Sequence, residues 1–458
     1  MAADLAIRGA IVIFQGAAPR DILITDGKIS GLVEAGAGSA QSELDARGMY
    51  ALPGLVDAHV HFNDPGRADW EGWASGSRAA AAGGVTTVLD MPLNSLPPVV
   101  NGAAFDLKRA AAERASIVDF GLWGGLIGSE PGPLRELAAR GAVGVKAFLC
   151  DSGVPEFPSL SPIDDVYAFR AATDAGLLVG VHAEDDELLA GATARVLAEG
   201  RHDPAAWLAS RPPVAEVRGV DRAWAAALET GARLHIVHMS SAAALSAVDD
   251  ARRAGVDVSA ETCPHYLIFD DRDVSRLGPL LKCAPPIRDA ANREALWNAV
   301  IHGRIDIIAS DHSPCLAADK ERGRDDIFAA WGGISGVQSL LPAVLTESIE
   351  RGPALDLAAI MHFAAWRMAS APARRFGLTR KGTLGVGADA DVVLVDARRH
   401  WTLEPSAVQT RSGQTPYAGR SFTGAVVRTI VRGTTVYLDG QFPAPAGHGR
   451  FVAAARAA

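Results

Sequence analysis

The chain has 458 residues, 48 % of them hydrophobic, with a formal net charge of −9 at pH 7. That length and apolar content fit one large domain with a smaller one and exclude large-scale disorder. The acidic balance, with no long basic run, argues against nucleic acid and anionic membranes as partners.

The four cysteines, Cys150, Cys263, Cys283 and Cys315, are far apart and form no Cys-x-x-Cys pair. That is the usage of a reducing compartment. The opening Met-Ala-Ala-Asp-Leu-Ala-Ile-Arg lacks a positive region followed by an apolar core, and no apolar run is long enough to span a bilayer. The expectation is a cytoplasmic protein.

Residues 4–50 read as short strands joined by turns, with Asp26-Gly27 as a hairpin turn. Ala35–Ser39 is a flexible loop without the context of a phosphate site. From residue 55, apolar strands alternate with Ala-rich helical stretches. The strands are Leu55–Phe62, Val85–Met91, Val118–Leu126, Val143–Leu149, Leu177–Glu184, Arg233–Ser240, Val256–His265 and Ile305–His312. The helices between them include Trp73–Ala82, Gly102–Ala115, Pro133–Arg140, Asp164–Ala175, Val214–Thr230, Ala242–Ala254 and Ala290–His302. Eight such units predict an α/β fold, a (β/α)8 TIM barrel, over a doubly wound open sheet as the alternative.

Pro314–Trp331 carries Lys320-Glu-Arg-Gly-Arg-Asp-Asp326 and reads as a solvated charged loop, with a lid over the barrel mouth as the other reading. Leu355–Phe376 reads as helical, and β-type sequence returns at Ala390–Val395 and Ala425–Leu438, with a turn at Arg432-Gly433. The simplest arrangement joins residues 1–51 and 380–448 into a small β-sandwich, with the barrel, residues 52–379, inserted between its halves. Arg450–Ala458 reads as a frayed end or short helix.

Polar residues at the C-terminal ends of barrel strands are where chemistry is expected. His59 and His61 are two apart in a strand, so their imidazoles share a face. They are either paired metal ligands or two satisfied histidines at a strand end. Strand five ends in His182 and strand six in His238. His235 is three residues from His238, so it faces away and reads as structural. Asp311 is placed inward as ligand and base, with His312 behind it. Lys146 in an apolar strand is costly to bury unpaired. Either it reaches solvent or pairs with Asp151 or Glu184, or its amine has added carbon dioxide to form a bridging carbamate.

Several runs carry a resemblance: Pro53-Gly-Leu-Val-Asp-Ala-His-Val-His61, Gly83-Gly-Val-Thr-Thr87, Asp90-Met-Pro-Leu-Asn94-Ser, Gly144-Val-Lys146-Ala-Phe, Val181-His182-Ala-Glu, His235-Ile-Val-His238-Met-Ser, Cys263-Pro-His-Tyr266, Lys282-Cys-Ala-Pro-Pro286, Ser310-Asp311-His-Ser-Pro-Cys315 and Gly387-Ala-Asp-Ala-Asp391. Together they resemble the cyclic amidohydrolase branch of the amidohydrolase superfamily, most closely the allantoinases.

The resemblance implies two zinc ions, or other divalent metals, with His59, His61 and Asp311 on one, His182 and His238 on the other, and carboxylated Lys146 between them. It implies attack by a metal-activated water on a ring amide, with Asp311 moving the proton, and a small cyclic ureide as partner. Allantoin opening to allantoate is expected, and the homo-oligomer, a tetramer, rests on resemblance.

Three positions separate this chain from related branches. Asn63 stands where dihydroorotases typically carry Arg, Cys315 where they tend to have His, and Asp151 where hydantoinases and dihydropyrimidinases typically have Tyr. An Asp near position 151 bridges the metals in some dihydroorotases, which is the alternative to a carbamate here. Asn63, Asn94 and Ser313 are the candidate substrate donors. The rival readings are a hydantoinase/dihydropyrimidinase or dihydroorotase, and a non-catalytic assembly protein of the same fold.

Overall fold

The computed structural model describes residues 2–352 and 356–455. Five strands open the chain: β1 (Ala3–Ile13), β2 (Ala17–Thr25), β3 (Lys28–Glu34), β4 (Ala40–Asp45) and β5 (Tyr50–Pro53). Asp26 and Gly27 join β2 to β3 with φ of 51° and 71°. Two successive residues at positive φ make the tight turn whose twist suits a hairpin.

A run of short parallel strands follows: β6 (Leu55–Val60), β7 (Val85–Asp90), β8 (Asp119–Leu122), β9 (Gly124–Gly125), β10 (Val145–Phe148), β11 (Val179–His182), β12 (Leu234–Ile236), β13 (Val258–Thr262) and β14 (Ile307–Ile308). They form two sheets, ordered β6-β7-β8 and β14-β13-β12-β11-β10-β9. Their residues are almost all buried, as strands covered by helices must be. The third predicted strand is broken at Trp123 between β8 and β9. The fully buried indole turns inward and donates to the Ala58 carbonyl at 3.1 Å. A Cβ on Gly144 or Gly180 would stand 2.8 Å from this ring, so only glycine admits it there. Val60 forms an isolated parallel bridge to His312, and His61 N–H donates to the His312 carbonyl at 2.7 Å.

The chain closes with β15 (Val392–Thr402), β16 (Ser421–Val431) and β17 (Thr434–Leu438). These join the opening strands in one eight-stranded sheet, ordered β17-β16-β15-β5-β1-β2-β3, with β4 on β1. The seam between the two chain ends is β5 antiparallel to β15, with Ala51 opposite Leu394.

Some expectations are corrected. The stretch between β11 and β12 contains two further helices, Asp186–Ala198 and Pro204–Ser210. The 314–331 segment is not simply a solvated loop: it holds a helical turn, Ala317–Glu321, and Lys320 is buried because carbonyl oxygens surround its ammonium. The tail is neither frayed nor helical through residue 455. It runs extended, because Phe451 bridges Phe120 and Val452 N–H donates to the Phe120 carbonyl at 2.8 Å. Leu355 and residues 456–458 lie outside the described residues. The remaining helical stretch is Leu357–Ala365, a π-turn at Trp366–Ser370, and Ala371–Arg375. Among the described residues, no helix is long and apolar enough to cross a membrane.

Candidate metal centre

His59 sits in β6 and His61 just beyond it, both buried, and Asp311 stands across from them after β14. Asp311 Oδ1 is 3.3 Å from His59 Nε2 and 3.6 Å from His61 Nε2. His182 ends β11, and its Nδ1 is 3.2 Å from His238 Nε2. Donors held at about 2.0–2.1 Å by one tetrahedral ion stand roughly 3.3–3.4 Å apart, so both sets have the spacing of shared ligands. His238 and Asp311 lie past their strands at φ of 38° and 44°. Strained left-handed residues of this kind persist where their surroundings hold them, commonly at functional sites.

On three of the four histidines the ring nitrogen turned away from the cluster is held from behind. His59 Nδ1 meets Glu261 Oε1 at 2.6 Å, His61 Nδ1 the Leu93 carbonyl at 3.0 Å, and His182 Nε2 meets Glu184 Oε2 at 2.8 Å. Such partners set which nitrogen is left for a metal. His59 Nε2 and His238 Nδ1 are buried and, among the described residues, have no hydrogen-bond partner. Burial lowers the pKa of His59, His182 and His238, keeping them in the neutral form that ligates. Burial pushes the Asp311 carboxyl up, but His59 and His61 outweigh it and hold it at about 2.

Lys146, in β10, is buried and has no hydrogen-bond or ion-pair partner among the described residues. Its Nζ stands 5.0 Å from the centre of the Phe148 ring. Neither Asp151 nor Glu184 pairs with it. Glu184 is taken by His182 and by Arg211, whose guanidinium donates at 2.5 Å. Asp151 is exposed, with Oδ1 accepting from Gly153 N–H at 3.0 Å. Burial lowers the Lys146 amine to about 8, with Asp311 and Glu261 offsetting part of that effect. A neutral amine facing carboxylate and imidazole donors is the group that can add carbon dioxide.

His59, His61, Lys146, His182, His238 and Asp311 face one cleft of about 730 Å³, which Asn94 and Ser313 also line. Asn63 does not reach it. It is fully buried at φ 63°, donates to the Pro314 carbonyl at 3.3 Å, and accepts from Asn94 Nδ2 at 3.4 Å. Besides Lys146, the basic side chains on the described cleft wall are already engaged: Arg211 by Glu184, and Lys282 by the carbonyls of Phe328 and Ala330. His235 lies behind the cluster on Ser259 and Glu261.

Sequence reasoning missed Glu261. It accepts from His59 and His235 and from the His238 N–H at 3.2 Å. The available signal was a lone carboxylate in the otherwise uncharged strand Val258–Thr262. A second donor group, Cys150, His182 and Glu184, is less suited to a metal of its own. Burial keeps the Cys150 thiol protonated, and Arg211 occupies Glu184.

With this geometry in hand, comparison with known proteins is direct. The pattern of the Amidohydrolase family matches residues 50–436. An allantoinase of Rubrobacter xylanophilus is 46 % identical over 98 % of this chain and 97 % of its own. An allantoinase of Solibacter usitatus is 47 % identical over 94 % of this chain and 92 % of its own. Among solved structures, the L-hydantoinase (dihydropyrimidinase) of Arthrobacter aurescens superposes with a TM-score of 0.94 at 32 % identity, covering 98 % of this chain and all of that one.

Proposed function

The chain belongs to the amidohydrolase family, and from that premise we propose that it is a metal-dependent cyclic amide hydrolase that opens allantoin to allantoate. The observation that carries this reading is the meeting of six side chains, His59, His61, Lys146, His182, His238 and Asp311, at one cleft. A non-catalytic relative has no need of that convergence.

In this reading His59, His61 and Asp311 would hold one divalent ion, His182 and His238 would hold a second, and Lys146 as a carbamate would supply an anionic ligand. The carbamate forms when the neutral amine adds carbon dioxide and releases a proton. Zinc, when bound, supplies a Lewis acid for the amide carbonyl and lowers the pKa of water from about 15.7 toward ~7. Asp311 takes a proton from the attacking water and delivers it to the leaving ring nitrogen, acting as base and then acid. Its low pKa suits the first role, since it is ionised before substrate arrives.

Substrate choice follows from the cleft wall. With Arg211 and Lys282 both engaged and Lys146 given to the carbamate, no free cation among the described cleft residues waits for a carboxylate, which disfavours dihydroorotate. A neutral ring with a ureido tail needs hydrogen bonds, and Asn94 and Ser313 supply them. Asn63 acts through Asn94. Hydantoin or dihydropyrimidine opening is the second reading, favoured by the likeness to the Arthrobacter enzyme.

The same family reading supports a closed (β/α)8 barrel over residues 52–379, with the Val60–His312 bridge between its first and last strands, and a β-sandwich from residues 1–51 and 380–448. A homotetramer rests on resemblance. A cytoplasmic location rests on cysteine usage, all four thiols being free. The function is tested by supplying zinc and bicarbonate to the protein and following allantoate formation. The metal-stripped protein must be inactive and recover when zinc is restored.

A further inference from the structure

Every lysine of the chain except Lys28 is buried. Lys108 is matched by Asp90, and Lys381 by Asp119, Asp389 and Asp391. Lys146 belongs to the centre described above. Lys282 and Lys320 have neither explanation: among the described residues, no carboxylate lies within ion-pair distance of either. A buried ammonium without a counter-charge is costly unless its hydrogens are fully used.

Here the hydrogens are used on main-chain carbonyls of one short segment. Lys282 Nζ donates to Ala330 at 2.6 Å and to Phe328 at 3.1 Å, and lies 4.3 Å from the centre of the Trp207 ring. Lys320 Nζ donates to Gly333 at 2.6 Å, to Trp331 at 2.9 Å and to the Lys282 carbonyl at 3.4 Å. Gly333 N–H returns a bond to the Lys282 carbonyl at 2.8 Å. The segment so gripped, residues 328–333, forms one wall of the cleft that holds the candidate metal ligands. Beyond a single 3₁₀ turn at Ile327–Ala329 it has no regular structure of its own. Burial, and next the nearby Lys320 charge, lower Lys282 to about 7, as expected of a cation so poorly countered.

We propose that Lys282 and Lys320 form a paired carbonyl anchor that fixes residues 328–333 as the substrate-facing wall of the cleft. Resting on the hydrolase reading above, the two lysines are positioning residues. They set how tightly the cyclic substrate is held, not how fast its amide is cleaved.

The test uses the full chain loaded with zinc, as Lys282→Met and Lys320→Met, which keep the stem and remove the donors. Either variant is expected to raise KM by about fivefold or more with kcat within about twofold. Hydrogen exchange of the amides in residues 327–334 should speed up by about tenfold, with the barrel strands unchanged. Unchanged exchange in both variants, or a fall in kcat at constant KM, overturns the proposal. Native-state acetylation of the wild-type chain decides the matter even if a variant does not fold. Lys28 should label while Lys282 and Lys320 stay protected, and equal labelling overturns the anchor. Exchange and labelling need no turnover, so a protein that opens no cyclic amide defeats the function above while these results still decide the anchor.

Discussion

Glu261 Oε1 stands 2.6 Å from His59 Nδ1, and this contact decides which way the first histidine of the centre faces. With Nδ1 engaged, Nε2 is left for a metal, beside Asp311. The same carboxylate holds His235 and the His238 backbone, so one buried side chain orients both halves of the donor set. Replacing such a supporting partner typically weakens metal binding 10–100-fold, or about 1.4–2.7 kcal/mol. Glu261→Gln is therefore expected to lose zinc affinity by about that factor, read by chelator competition. Wild-type affinity in this variant would show that the histidines are oriented by packing alone.

Among the described residues, Lys146 has no hydrogen-bond or ion-pair partner. Lys146→Ala should lose bound metal and activity together. Short carboxylic acids, which can occupy the position of the carbamate, should restore part of both. Full activity without added acid would contradict the bridging role.

Asp311 is both donor and proton carrier in this account. Asp311→Asn keeps an oxygen ligand but cannot accept the proton. Metal content should remain largely intact while kcat falls on the order of 10²–10⁴-fold. Turnover within about tenfold of wild type would place the base elsewhere.

The amine of Lys146 is lowered from 10.5 to about 8 by burial. Only its neutral form adds carbon dioxide, and below that pKa the neutral fraction falls about tenfold per pH unit. Reactivation of metal-free protein by zinc, at fixed dissolved carbon dioxide, should therefore quicken from pH 6 to about 8 and then level off. The stability linkage has a definite sign. Between about 8 and 10.5 the folded metal-free chain binds fewer protons at this site than the unfolded chain, so this group favours folding increasingly as pH rises. A reactivation rate flat from pH 6 to about 8 would contradict the assignment.

Much of the fold is legible in the sequence because its signals are local. The apolar strand runs reappear as β6–β14, and Asp26-Gly27 makes the hairpin its chemistry requires. The two unassigned helices between β11 and β12 had N-cap signals: Asp185 accepts from Leu188 N–H, and Asp203 from Ala206 N–H. Strand parity separates His238 from His235, and the place nearer the C-terminal end of the strand chooses His238. It does not reveal that β12 ends at Ile236 and that φ of 38° turns His238 toward His182. Glu261, Arg211 and the contacts of Asn63 depend on residues far apart in the chain, which no local pattern reports. Lys320 read as solvated because it sits in a charged run, and only the folded segment shows carbonyls around it.

The central claim is that this cleft opens a neutral cyclic ureide. The most direct measurement is kcat/KM of the zinc-loaded, bicarbonate-supplied protein on allantoin, dihydroorotate, dihydrouracil and hydantoin side by side. The account predicts fast opening of allantoin and slight or no opening of dihydroorotate. A preference for dihydroorotate would contradict the reading of Arg211 and Lys282 as engaged, and no opening of any of the four would contradict the claim itself.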